Sequence, residues 1–283
     1  MEDFAMAFRT LLTITQPDLG TSDVELAATL CEEIDAHLSI LVVQFAAPPP
    51  IGDYAAIVTD AWFEERQADL DRLQLRTEEV KTFLEQRSTS FDICSEYPEE
   101  VVADETIGRR AMYADIGVLG PELLAQDWLK RKAVEGLLFS SGKPLLLVPQ
   151  GSKPTLKPRR VMVAWDSRIE ASTAVSHALS LLSAANDVHV VLVDPQQGEL
   201  AQGDEPGADI ATYLARHGVK VTVDQLPSLG RSVADALRTH LVDIGADLLV
   251  MGAYGHSRMR ERIFGGVTRS IISQPPCTTF LAH

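Results

Sequence analysis

The sequence predicts an α/β protein built as two tandem, doubly wound domains, each with a five-stranded, mostly parallel sheet. Four observations predict it. Short runs that are apolar at every position, such as Leu248-Leu-Val-Met251, alternate with amphipathic stretches, the pattern of a parallel sheet covered by helices on both faces. The chain has 283 residues, enough for two cores of about 140 residues each. Between two apolar runs lies Pro149-Gln-Gly-Ser-Lys-Pro-Thr-Leu-Lys-Pro158, whose prolines, glycine and small polar residues read as a linker. Finally, Ala114-Asp-Ile-Gly-Val-Leu-Gly120 matches Ala246-Asp-Leu-Leu-Val-Met-Gly252, and from each final glycine it is 24 residues to a proline, Pro144 or Pro276, that opens the last strand. This repeat points to a duplicated domain. The expected division is 1–150 and 159–283, with 151–158 as linker.

In the first half, a strand over 10–15 leads to a helix over 23–37 and a strand over 38–45. A polar helical stretch over about 55–86 follows and is expected as a solvated insertion. Its Glu64-Glu65 and Glu78-Glu79 pairs read as a solvated face rather than acid/base machinery, because nothing apolar surrounds them to raise a pKa. The second half reads as a strand over 160–165, a helix over 168–184, a strand over 188–193, a helix over 208–217 and a strand over 220–226. A helix over 232–244, a strand over 247–251, a helix near 267–273 and a strand over 277–282 complete it. Ser167 and Glu170 spell a capping box, which gives the N-cap to Ser167 and leaves Asp166 free at the strand end.

Composition excludes several classes. With 46% hydrophobic and 23% charged residues and only Cys31, Cys94 and Cys277, the chain reads as a reduced globular protein. Those cysteines build no metal-ligand spacing, so no structural metal is expected. Cys277 reads as a small buried hydrophobe rather than a redox centre. Apolar runs such as 40–43 and 145–148 fall far short of the roughly 20 residues that cross a bilayer, and the N-terminus has no basic-then-apolar signal pattern. A soluble, cytoplasmic protein without membrane contact is the expectation. The net charge of −15 argues against nucleic acid, which demands a basic footprint. Residues 1–150 hold 27 acids against 12 bases, and 151–283 hold 13 against 13. The neutral half is therefore the better place for a local positive patch facing an anion.

The informative stretch is Met251-Gly252-Ala-Tyr-Gly255-His-Ser-Arg-Met-Arg-Glu-Arg-Ile-Phe-Gly265-Gly266-Val267-Thr268, directly after the fourth strand of that half. In open α/β sheets, ligands bind beyond the carboxyl ends of strands. Glycines there let the main chain approach a ligand closely. Gly265-Gly266 opens the next helix, so unpaired N–H groups and the positive end of the helix dipole would face a phosphate.

On these residues both halves resemble universal stress protein domains, and the second is similar to the nucleotide-binding members through the spacing Gly-x2-Gly-x9-Gly of Gly252, Gly255 and Gly265. Gly266 departs from the family's Ser or Thr and so removes a hydroxyl from the phosphate cradle. The resemblance implies a Rossmann-like, adenine nucleotide alpha hydrolase-like fold and a regulatory stress-response role with ATP, with or without Mg2+, as ligand. It implies Asp166 and Val193 at the adenine and Met251-Gly252 as pocket wall. Gly255, Gly265, Gly266 and Val267 would lie at ribose and phosphates, with Thr268 beside them. His256 and Arg258 are further phosphate candidates. Arg258, Arg260, Arg262 and Arg269 put four bases within 12 residues, which would concentrate an anion locally. It also implies that the last strands, 145–148 and 278–282, meet as an internal pseudo-dimer, with a homodimer of whole chains open.

The first half lacks the signature. Leu123, Ala133 and Val134 stand at the positions of Gly255, Gly265 and Gly266, Pro121 stiffens the loop, and Gln16 replaces the aspartate, so no nucleotide is expected there. Two alternatives stay open: a ligand-free interaction module working through apolar strand edges, and a slow ATP hydrolase or autophosphorylating protein. No Walker loop, nucleophile elbow or paired His/Cys motif names a catalytic residue.

Overall fold

The computed structural model describes residues 8–46, 60–195, 205–254 and 266–283. Contacts divide the chain into two compact units, Phe8–Lys143 and Pro144–His283. Among the described residues, no helix is long and apolar enough to cross a membrane.

The first unit runs β1 (Thr10–Thr15), α1 (Ser22–Ile34), β2 (His37–Val43), α2 (Asp60–Leu84), β3 (Phe91–Glu96), α3 (Ala103–Ala111), β4 (Ile116–Leu119), α4 (Pro121–Leu124) and α5 (Asp127–Glu135). Its strands pair in parallel in the order β3-β2-β1-β4. Parallel neighbours need crossover connections, which the intervening helices supply. Covered on both faces, these strands lose the polar alternation of a half-exposed sheet: every residue of β2 after His37 is buried.

The stretch expected as a solvated insertion is instead a crossover helix. α2 packs against β2 and β3, and it buries Asp69, Leu73, Arg76, Val80 and Leu84, one stripe at three- and four-residue spacing. Glu64, Glu65, Glu78 and Glu79 lie on its exposed side. The buried Arg76 stays tolerable because its ends are engaged. Nη2 donates to Thr15 Oγ1 at 3.1 Å and to the Gly20 carbonyl, and Nη1 lies 3.4 Å from Glu79.

The second unit runs β5 (Leu145–Leu147), β6 (Arg160–Ala164), α6 (Ile169–His177), α7 (Leu179–Ala184), β7 (Asp187–Val193), α8 (Ala208–Arg216), β8 (Val221–Leu226), α9 (Val233–Ile244), β9 (Leu248–Gly252), α10 (Gly266–Ser273) and β10 (Thr278–Ala282). The expected single helix over 168–184 is interrupted at Ala178, at φ −87° and ψ 1°. The strand order is β5-β10-β9-β6-β7-β8. All neighbours are parallel except β5, which runs antiparallel to β10 with Leu147, Leu146 and Leu145 opposite Thr279, Phe280 and Leu281. That pairing groups β5 with the second unit. The first unit therefore holds four strands and the second six, rather than five in each.

The repeated aspartate has one role in both units. Asp115 accepts the Arg9 and Thr10 amides at 2.7 and 2.9 Å. Asp247 accepts those of Arg159 and Arg160 at 3.0 and 3.1 Å. Each fastens the start of the first strand to the loop before the fourth. Strand order reverses between β1 and β4 in one unit and between β6 and β9 in the other, and a doubly wound sheet opens its ligand crevice at that reversal.

Candidate functional site

In the second unit, β9, β6 and β7 lie side by side, with Ala164 opposite both Met251 and Val191. Asp166, Val193 and Gly252 therefore leave the same end of the sheet on three adjacent strands. Asp166 is not free there, and the expected capping box does not form. The Asp166 Oδ1 accepts the Arg168 amide at 3.1 Å, and its Oδ2 lies 3.6 Å from Arg168 Nε. This short Asx turn drives Ser167 into the left-handed region at φ 63°. The Ser167 hydroxyl accepts from Trp165 Nε1 at 3.1 Å, and the N-cap of α6 moves to Arg168 without a side-chain cap. Asp194, which the sequence did not single out, ends β7 at φ 48° and accepts the Ser228 amide at 2.9 Å. Its hydrogen bonds to Ser228 hold the carboxyl below its usual range.

Met251 is buried at the end of β9. A Cβ on Gly252 would lie 2.5 Å from the Ala171 nitrogen and the Glu170 carbonyl carbon, so this glycine lets the start of α6 pass against β9. Tyr254 turns at φ 64°, and its amide donates to the Thr268 hydroxyl at 3.2 Å. Thr268 is buried and thus ties the turn after β9 to the first turn of α10. Val267 is half-buried, and Arg269 is exposed on the same helix. Gly266 contrasts with Gly252: a Cβ there meets no atom within 4 Å. The predicted residues Gly255, His256, Arg258 and Gly265, with Arg260 and Arg262, lie outside the described residues.

At the matched place in the first unit, the start of α4 is already filled. Asp23, 2% exposed on α1, accepts the Glu122 amide at 3.1 Å and the Leu123 amide at 2.8 Å. Burial pushes its carboxyl up, and the two amides pull it partly back. A Cβ on Gly120 would sit 2.3 Å from Asp23 Oδ1, so glycine is what admits the carboxylate. Leu123, Ala133 and Val134 are buried in the core, and Arg76 covers the end of β1 at Thr15. The sequence could hardly reveal Asp23, since its partners lie 99 and 100 residues away.

Burial pushes the thiols of Cys31 and Cys277 up to about 12, and a protonated thiol is a poor nucleophile.

Residues 157–283 match the model of the universal stress protein family. A universal stress protein of Synechocystis sp. is 29% identical over 153 residues, which cover 52% of this chain. The match spans half the length of that curated relative. Among solved structures, a universal stress protein from Archaeoglobus fulgidus aligns with a TM-score of 0.61 at 15% identity, over 96% of this chain and 95% of that one. At this identity the likeness shows the fold: a Rossmann-like α/β architecture.

Proposed function

We propose, from the match of residues 157–283 to the universal stress protein family, that the C-terminal unit binds an adenine nucleotide, ATP, in a regulatory stress-response role. The observation that carries the reading is the convergence of Asp166, Val193 and Met251-Gly252 at one sheet end, where the strand order reverses. In this reading those four residues face the base. The amides of Gly255, Gly265, Gly266 and Val267 take ribose and phosphates, with His256, Arg258 and Thr268 beside them, and Mg2+ accompanies the phosphates. Unpaired N–H groups at a helix start suit a phosphate, and α10 begins at Gly266 with open space where a side chain would be. Binding rather than hydrolysis is favoured because Asp166 and Asp194 are both engaged by main-chain amides and are not poised as general bases.

The first unit binds no nucleotide in this reading, since the Asp23 carboxylate holds the amides that a phosphate would use. Calorimetric titration of the full chain with ATP tests both statements. One site per chain, weakened by Asp166→Ala and untouched by Gln16→Ala, is expected. No heat at millimolar ATP removes the first statement, and two equivalent sites per chain remove the second.

A further inference from the structure

We propose that His189, Asp224 and His240 form a binding site for a divalent transition metal of the zinc class. The three come from separate elements of the second unit. His189 lies on β7, Asp224 on the neighbouring edge strand β8, and His240 on α9. His189 stands opposite Thr222, two residues before Asp224, so alternation along the strand brings His189 and Asp224 to one face of the sheet. From that face His189 Nδ1 reaches Asp224 Oδ2 at 2.8 Å, and His240 Nε2 reaches the same oxygen at 2.9 Å. All three donor atoms lie within 4.8 Å of one another.

Two imidazole nitrogens and one carboxylate oxygen are the ligand set of three-coordinate protein zinc sites that keep a fourth position for water. Calcium and magnesium prefer all-oxygen shells, so this set selects against them. Zinc bonds to nitrogen and carboxylate oxygen run about 2.0–2.2 Å, so binding an ion would open the two hydrogen bonds to Asp224 and replace them with bonds to the metal. Burial opposes ionisation of Asp224, but the hydrogen bonds from His240 and His189 outweigh it and hold the carboxyl below its usual range. On metal binding, His189 Nδ1 and His240 Nε2 would each give a ring lone pair to the ion, with any proton on those nitrogens displaced. Side-chain exposures of 17–23% leave water a path to the open position.

The site is independent of the proposed nucleotide site. It lies within the strands rather than beyond their carboxyl ends, and it would clasp α9 to an edge strand that has a pairing neighbour on one side.

The test is titration of the chelator-treated full chain with Co2+, followed by its visible d–d absorption, and then displacement by Zn2+. Saturation at one ion per chain is expected, with at least a tenfold loss of affinity in Asp224→Asn and in His240→Gln. His217→Gln, a change in a different helix-end histidine, should leave the titration unchanged. Absence of saturable absorption, or unchanged affinity in the His189→Gln/His240→Gln double variant, overturns the proposal. Should the variants fail to fold, the wild-type chain still decides the matter through imidazole nitrogen NMR. Two of the seven histidines, His189 and His240, must shift on adding one equivalent of Zn2+; shifts confined to other histidines refute the site.

Discussion

Replacing Gly266 with serine puts a hydroxyl at the first position of α10, in the space where a Cβ meets no atom within 4 Å. The change carries no steric cost, so its effect on a ligand reads directly as the value of the hydroxyl. A hydrogen bond to a charged partner contributes about 1.5–3 kcal/mol, and fixing a side chain on binding takes back about 0.5–1.5 kcal/mol. About 1–2 kcal/mol remains, a roughly 5- to 30-fold gain in ATP affinity. Stability of the free protein should barely move. Serine is better than glycine in a helix by about 0.3–0.5 kcal/mol, which raises Tm by about 1–2 °C. Calorimetric titration of the wild type and Gly266→Ser with ATP, beside melting curves without nucleotide, separates the two effects. If affinity is unchanged or lower while the melting curves show a folded variant, the helix start does not face the phosphates, and the placement of the nucleotide is wrong.

Gly252→Ala should behave in the opposite way. Its Cβ would strike the α6 backbone at 2.5 Å, so a loss of about 1–3 kcal/mol is expected in urea denaturation. Asp23→Ala strands the buried Leu123 amide and the part-buried Glu122 amide of α4, at about 1–3 kcal/mol for the buried one, partly offset by removing a buried charge. Because burial raises the folded pKa of Asp23 above its ordinary 3.8, ionisation costs stability, a cost fully present above the folded value and absent below 3.8. Wild-type stability relative to Asp23→Asn should therefore rise as pH falls through that window, and denaturation series from pH 7 to about pH 4 read the difference. Arg76→Ala should destabilise the first unit by about 1–3 kcal/mol, the range for leaving the Thr15 hydroxyl and the Gly20 carbonyl without their donor, with a matching drop in urea midpoint.

The strands were legible because burial on both faces gives them unbroken apolar runs, as in Leu248–Met251 and Ile40–Val43. The repeat was legible because Asp115 and Asp247 serve the same amides at the same step of the fold. α2 was misread because its buried stripe contains Asp69 and Arg76, whose polarity flattens the periodicity that signals a core-facing helix. The capping box failed because Asp166, one residue earlier, competes for the same helix start and wins the Arg168 amide. Asp23 and the trio of His189, Asp224 and His240 were invisible for a different reason. Each depends on contacts between residues 16 to 100 positions apart, which no local spacing encodes.

The lodging of Asp23 at the head of α4 gives this duplicated architecture an asymmetry of response. A helix start satisfied by its own chain is insensitive to the supply of any solute, whereas one left open gains stability with the logarithm of ligand concentration once that exceeds the dissociation constant. Under the proposed function one copy would serve as a constant reference and its twin as the variable arm, so thermal unfolding followed across a range of ATP concentrations should move for one half of the chain and stand still for the other.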